Sequence, residues 1–284
     1  MQIISSISEM QLLSEQFRLE KKKIAVVPTM GALHEGHLSL IRIAKQNADV
    51  VVVTIFVNPT QFSPNEDFNK YPRNLKLDIT LIQKENADVV FSPSLDEMYP
   101  KNYETYVESI NSSKVLEGKF RPTHFKGVST IVAKLFNITK PHFAVFGQKD
   151  AQQVFIIQQL ARDLNFPIEI IVAPVVREPD GLAMSSRNVY LNTEQRNDAN
   201  ILSKSLRLAV KMISDGERNC SHIIDAMKKL ISSKQTVTEI EYISIAKTET
   251  LEELDEIVPN TKALISLAVK FGNTRLIDNV IIQS

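Results

Sequence analysis

The sequence predicts an α/β protein, a doubly wound parallel sheet followed by a smaller α+β unit. Three observations carry this. Through the first two thirds of the chain, short β-branched runs alternate with longer amphipathic stretches, the pattern of βαβ crossovers. The strand-like runs are almost continuously apolar, as strands covered by helices on both faces must be. Beyond residue 188 helical stretches come first and strand-like runs follow, the order of an α+β unit.

Taken in order, the strands fall at 24–27, 50–57, 88–91, 142–146 and 168–173, with helices at 37–47, 73–85, 128–137 and 151–163. The last two helices stop ahead of Pro141 and Pro167, because proline pushes the residue before it out of the α region. Glu20-Lys21-Lys22-Lys23 reads as the solvated end of a preceding helix. The smaller unit is expected to hold helices at 193–214 and 221–231 and strands at 239–245, 263–269 and 276–282. At 284 residues the chain exceeds one ordinary domain, and the boundary is placed so that 1–177 forms the larger unit and 178–284 the smaller.

Lysine plus arginine number 33 and aspartate plus glutamate 33, so no net field draws the protein to nucleic acid or anionic lipid, and a small-molecule substrate is favoured. The single cysteine, Cys220, excludes an internal disulfide and a cysteine-cluster metal site; it reads as a helix-lining or half-buried thiol in a reducing compartment. Residues Met1 to Ser6 show no basic and apolar leader, and no run approaches the roughly 18 apolar residues of a spanning helix, so a cytoplasmic location is expected.

The strongest local signal is the loop from Met30 through Gly31, Ala32, Leu33, His34, Glu35 and Gly36 to His37, set between the first strand and a helix. A loop entering a helix offers free N–H groups and positive dipole to phosphate, and two imidazoles flanking a glycine add donors where charge builds on a triphosphate. The same pair could be a surface pair or a metal site. Asn58 and Gln61 follow the second strand in a polar turn, where neutral amides suit hydroxyls and a carboxylate, or simply make an Asn-Pro turn. Gly147, Gln148, Lys149 and Asp150 open the helix that carries Gln153: Asp150 is a candidate N-cap, Lys149 can neutralise phosphate, and Gln153 can reach an acid substrate. Val176 and the run Met184-Ser185-Ser186-Arg187 place hydroxyls and a guanidinium together, phosphate ligands or a helix cap with a surface charge. Tyr71, Asp78, Arg121 and His124 are weaker candidates, and His142 and His222 read as structural.

These strings together resemble the pantothenate synthetase family, the pantoate–β-alanine ligases. They are PTMGALHEGHLSL from Pro28, FVNPTQF from Phe56, YPR from Tyr71, HFKGV from His124, VFGQKDAQQ from Val145 and REPDGLAMSSRN from Arg177. The resemblance implies a Rossmann-like domain of the HxGH nucleotidyltransferase type, a small domain closing over the site, and a homodimer. It implies ATP as a substrate with Mg2+, pantoate and β-alanine as the other substrates, and a pantoyl-adenylate intermediate. By matching motif, Met30 to His37, Gly147 to Asp150, Val176 and Met184 to Arg187 would hold ATP. His37 and His34, with Lys149, Ser185, Ser186 and Arg187, would act at the phosphates; Gln61 and Gln153 would hold pantoate, and Asn58 would line the β-alanine side. No protein metal cage is implied, and Asp78 is the most plausible carboxylate near magnesium. Gln148 departs from the glutamate common in the family, and Glu117-Gly118-Lys119-Phe120 from its usual wording.

Rival readings are a nucleotidyltransferase acting on a phosphorylated substrate, which would add a lysine and arginine cluster, a short tRNA synthetase, which would need a basic RNA-binding appendage, and a silent nucleotide-binding protein, which would lose polar groups. Neutral Asn58, Gln61 and Gln153 favour a hydroxy acid over a second phosphate.

Overall fold

The computed structural model describes residues 1–64 and 66–283. Strands β1 (Gln2–Ile4), β2 (Ile24–Thr29), β3 (Val50–Ile55), β4 (Val89–Phe91), β5 (Phe143–Gly147) and β6 (Glu169–Ala173) form a parallel sheet in the order β1-β4-β3-β2-β5-β6. Strands β7 (Val237–Lys247), β8 (Lys262–Phe271) and β9 (Thr274–Gln283) form a separate antiparallel sheet. The helices are α1 (Ile7–Leu19), α2 (Glu35–Asn47), α3 (Leu75–Lys84), α4 (Leu95–Met98), α5 (Glu117–Phe120), α6 (His124–Thr139), α7 (Ala151–Asp163), α8 (Thr193–Ala199), α9 (Ile201–Ser214) and α10 (Cys220–Ile231).

Alternation along the central strands builds the layers. Ile24, Val26, Val50 and Val52 pack with residues of α6 and α7 on one face of the sheet, while Ala25, Val27, Val51 and Val53 pack with Leu40, Ile41 and Ile82 of α2 and α3 on the other. Both faces are apolar, which is why these strands read as unbroken hydrophobic runs. A second core joins α9 and α10 to β7, β8 and β9. Leu116, Leu251 and Leu264 form a small apolar contact between the two units, with Phe155 and Tyr242 against it.

The five expected parallel strands are present, and a sixth, β1, was missed: three residues at a sheet edge are too few for a periodic signal. The expected helix at 193–214 is broken at Asn200, which ends α8 and starts α9. Cys220 opens α10 on its buried face, at 1% exposure, which is the helix-lining of the two expected readings.

Candidate active site

From β2 the chain winds outward to β3 and β4, then crosses to β5 and β6 on the other side, so the sheet order reverses between β2 and β5. A crevice opens outside the carboxyl ends of strands at such a reversal. The loops following β2 and β5 face each other across it.

The β2 loop is held by one buried carboxylate. Gly31 and Ala32 take φ of +79° and +51°, which turns the N–H groups of Ala32 and Leu33 onto Asp78 Oδ2 and Oδ1 at 3.0 and 2.8 Å. Only glycine suits position 31, where a Cβ would lie 2.9 Å from Asp78 Oδ2. A left-handed alanine costs on the order of 1 kcal/mol, which the charge-assisted bond at its amide offsets.

The loop then enters α2 through an unusual cap. His34 is the N-cap: its Nδ1 accepts the Gly36 N–H at 3.1 Å, and its own N–H donates to His37 Nδ1 at 3.4 Å. With both Nδ1 atoms accepting, each ring carries its proton on Nε2. Burial, then the Lys149 charge, lowers the His34 pKa to about 4; burial, then His34 and Lys149, lowers that of His37 to about 3. Near neutral pH both are uncharged N–H donors. Their ring centroids are 4.2 Å apart.

Opposite them, Gly147, Lys149, Asp150 and Gln153 line the cleft at the start of α7. Asp150 occupies the N-cap position, yet its side chain makes no capping bond. A third wall comes from Val176 and Met184 to Arg187. There Ser186 Oγ donates to the Ala32 carbonyl at 3.1 Å, and Ser185 Oγ accepts the Arg187 N–H at 3.2 Å. The Arg187 guanidinium pairs with Asp67 at 2.9 and 3.1 Å. The fourth wall holds Gln61, Tyr71, Arg121 and His124 above an apolar floor that includes Phe62, Ile131, Leu135 and Phe146. His124 Nδ1–H donates to the Gln61 carbonyl at 2.9 Å, and burial followed by the Arg121 charge holds its pKa well below the ordinary value. Arg121 itself pairs with Glu66 at 2.7 Å.

A scan against protein-family models matches residues 2–281 to the pantoate-beta-alanine ligase model. The chain belongs to the pantoate–β-alanine ligase family. The pantothenate synthetase of Thermoanaerobacter sp. strain X514 is 54% identical over 98% of both chains. That of Thermotoga petrophila is 53% identical over 99% of this chain and all of its own. Among solved structures, pantothenate synthetase from Thermus thermophilus superposes with a TM-score of 0.91 at 38% identity, covering 99% of each chain. A pantoate–β-alanine ligase from Francisella tularensis, complexed with β-γ ATP and β-alanine, superposes at 0.80 with 37% identity, covering 99% of this chain and 97% of that one.

The fold expected from the family resemblance is therefore present, and most of the expected site residues converge on one cleft. Several do not reach it. Asn58 is fully buried: its amide donates to Gln61 Oε1 at 2.8 Å and the Gly127 carbonyl at 3.1 Å, and its oxygen accepts from Thr60 and Tyr99. Its hydrogen-bonding groups are all engaged within the protein, one of them on Gln61 Oε1. Glu35 points outward and pairs with Arg42 at 2.6 Å. Gly31, Ala32 and Leu33 shape the loop from behind the cleft wall. The Gln148 side chain is bonded to Asn279 on β9 at 3.0 Å. Asp78 accepts one backbone amide at each oxygen and stands behind the residues that line the cleft. His142 Nδ1 accepts the Ile24 N–H, and His222 contacts Glu217 at the surface; both stand outside the cleft lining.

The residues the sequence left unmarked are of two kinds. Apolar wall residues such as Leu135 and Phe146 read the same whether they face a core or a cavity. Asn279, Asp278 and Gln152 act on partners far away in the chain, and no local pattern announces that.

Proposed function

We propose that this chain condenses pantoate with β-alanine at the expense of ATP, giving pantothenate, AMP and pyrophosphate through a pantoyl-adenylate. The observation that carries this reading is the pair of neutral imidazoles at the α2 N-terminus, presenting Nε2–H donors within electrostatic reach of Lys149.

The pantoate carboxylate attacks the α-phosphorus of ATP, an acyl phosphate bond forms, and the bond to pyrophosphate breaks. Charge grows on the phosphate oxygens during that displacement. His37 and His34 stabilise it as fixed N–H donors and Lys149 as a cation, with Ser185, Ser186 and Arg187 on the nucleotide side; none needs to reorganise as the charge appears. Arg187 exchanges its Asp67 partner for phosphate when ATP binds. Gln61 and Gln153 hold pantoate through neutral amides, and Arg121 and His124 border the same wall. The β-alanine amine then attacks the acyl carbon, AMP leaves, and the ammonium proton is lost to the phosphate or to water. A free amine attacks an acyl-adenylate readily once water is excluded, so no covalent nucleophile is called for.

Among the described residues no cluster of three or more His, Cys, Asp or Glu side chains could hold a metal ion. Asp150 is the cleft-wall carboxylate that would meet the Mg2+ carried by ATP, whose contribution when bound is to neutralise triphosphate charge. The reading also takes 178–284 as a lid over a nucleotide site in 1–177, the working form as a homodimer, and the location as cytoplasmic; among the described residues no helix is long and apolar enough to cross a membrane.

The test is exchange of labelled pyrophosphate into ATP. Pantoate alone should support it, and AMP with pantothenate should form only when β-alanine is added. Exchange that ignores pantoate, or no AMP from the complete mixture with magnesium, would overturn the assignment.

A further inference from the structure

Lysine carries its charge on a flexible stem, so its aim depends on the backbone beneath it. Lys149 sits in a three-residue turn, Gln148–Asp150, between β5 and α7. That turn is gripped from the other unit. Asn279 of β9 is 3% exposed, and its amide donates to the carbonyls of Gln148 at 3.0 Å and Lys149 at 2.9 Å. Its oxygen accepts from Gln148 Nε2 at 3.0 Å. Two donors and an acceptor in one plane are what a carboxamide supplies, and a carboxylate of the same shape would turn an oxygen toward two carbonyls.

The neighbouring residue fixes the strand. Asp278 Oδ2 and Oδ1 accept from Arg177 at 2.6 and 2.9 Å, and Asp278 Oδ1 also accepts the Asn279 N–H at 2.8 Å. Arg177 begins the segment that reaches Met184 to Arg187 on the cleft wall. At one point on β9, therefore, the smaller unit touches the backbone of Lys149 and the base of the wall carrying Ser185, Ser186 and Arg187.

We propose that Asn279 is a positioning residue for the adenylation step: it holds the Lys149 carbonyl and so sets where the ammonium stands in the cleft. This rests on the role proposed for Lys149 above. A displacement near 1 Å at a charge-stabilising group can cost about a hundredfold in rate. Asn279 bonds Gln148 and Lys149 and not Gln153, one turn further along α7, and Gln61 stands on another wall, so the contacts proposed for pantoate should stand.

The experiment measures pantoate-dependent pyrophosphate exchange in the full-length protein. Wild type comes first: without exchange there, it is the functional reading that fails. With wild type active, Asn279→Ala is expected to lower the exchange kcat at least tenfold, with the pantoate KM within twofold and Tm within a few degrees. Asn279→Asp, which keeps the shape and removes both donors, should do the same and decides the matter if the alanine variant does not fold. Tyr242→Phe removes another bond between the units, to Glu117 at 2.7 Å, that involves neither Asn279 nor the carbonyls it holds, and should leave exchange unchanged. On a Lys149→Ala background, measured in single turnover, adding Asn279→Ala should change the rate less than twofold, because both substitutions remove one contribution. Full exchange in a folded Asn279→Asp variant, or the same tenfold loss with and without Lys149, overturns the proposal.

Discussion

Gly36 separates stability from chemistry in a way one substitution can expose. It lies in the first turn of α2 without a positive φ, so its backbone accepts alanine, and alanine at a helical position ordinarily stabilises by up to about 1 kcal/mol. Here the added Cβ would stand 2.8 Å from His34 Cε1 and 2.9 Å from Nδ1, where ordinary contacts are 3.4 Å or more. The ring must retreat by roughly half an ångström to one ångström, and the bond from Gly36 N–H to His34 Nδ1 goes with it. Losing that cap costs about 1 kcal/mol, close to what the better helix former contributes. Gly36→Ala should therefore shift Tm by only a few degrees in either direction. The displaced Nε2–H, by contrast, no longer meets the developing charge, and a misplacement of this size costs up to about a hundredfold, or about 2.7 kcal/mol of barrier. Pyrophosphate exchange and thermal melting, run on the same preparation, check both halves. Exchange within twofold of wild type would refute the claim that the His34 ring must sit where it does.

Three further outcomes follow from the same geometry. Because burial depresses His34 and His37 to about 4 and about 3, their neutral forms stabilise the fold fully above the ordinary value of 6.5, and that contribution is lost as pH falls from there toward 3. Their imidazole C–H resonances, assigned through His34→Gln and His37→Gln, should stay at neutral-form shifts from pH 8 to pH 5; titration of either near 6.5 contradicts the burial argument. Arg275→Ala leaves Glu117, which is 6% exposed and accepts from that guanidinium at 2.6 and 2.8 Å, with an uncompensated buried charge beside Tyr242. About 3–5 kcal/mol of unfolding free energy should disappear in urea titration, and a loss below about 1 kcal/mol would show that water reaches the carboxylate. Asn58→Ala frees Gln61 and strands the Gly127 carbonyl, so the pantoate KM should rise about tenfold with a stability loss of about 1–3 kcal/mol; an unchanged KM would mean Gln61 needs no such aim.

Much of this molecule is legible from its residues alone, because the determinants are local. Buried parallel strands must be apolar on both faces, which made Val50 to Ile55 visible as a strand, and a loop that runs from strand end to helix start must carry its polar groups in a short string, which made Met30 to His37, Gly147 to Asp150 and Met184 to Arg187 visible as a site. Direction and partnership were not legible. Asn58 and Gln61 share a turn and a residue chemistry, yet one is walled in by Gly127, Thr60 and Tyr99 while the other opens to the cleft. Asp78 is a carboxylate in a helix by sequence; only the fold puts two backbone amides onto it. Asn279 lies 130 residues beyond Lys149, and its use depends on the antiparallel sheet docking against the turn after β5. The sequence by itself determined which backbone conformations form and which chemistry gathers at the strand ends, since those follow from propensity and period. Which side chains are free to act, and which are spent holding others, was decided by tertiary packing, because hydrogen-bond capacity is assigned only when distant segments meet.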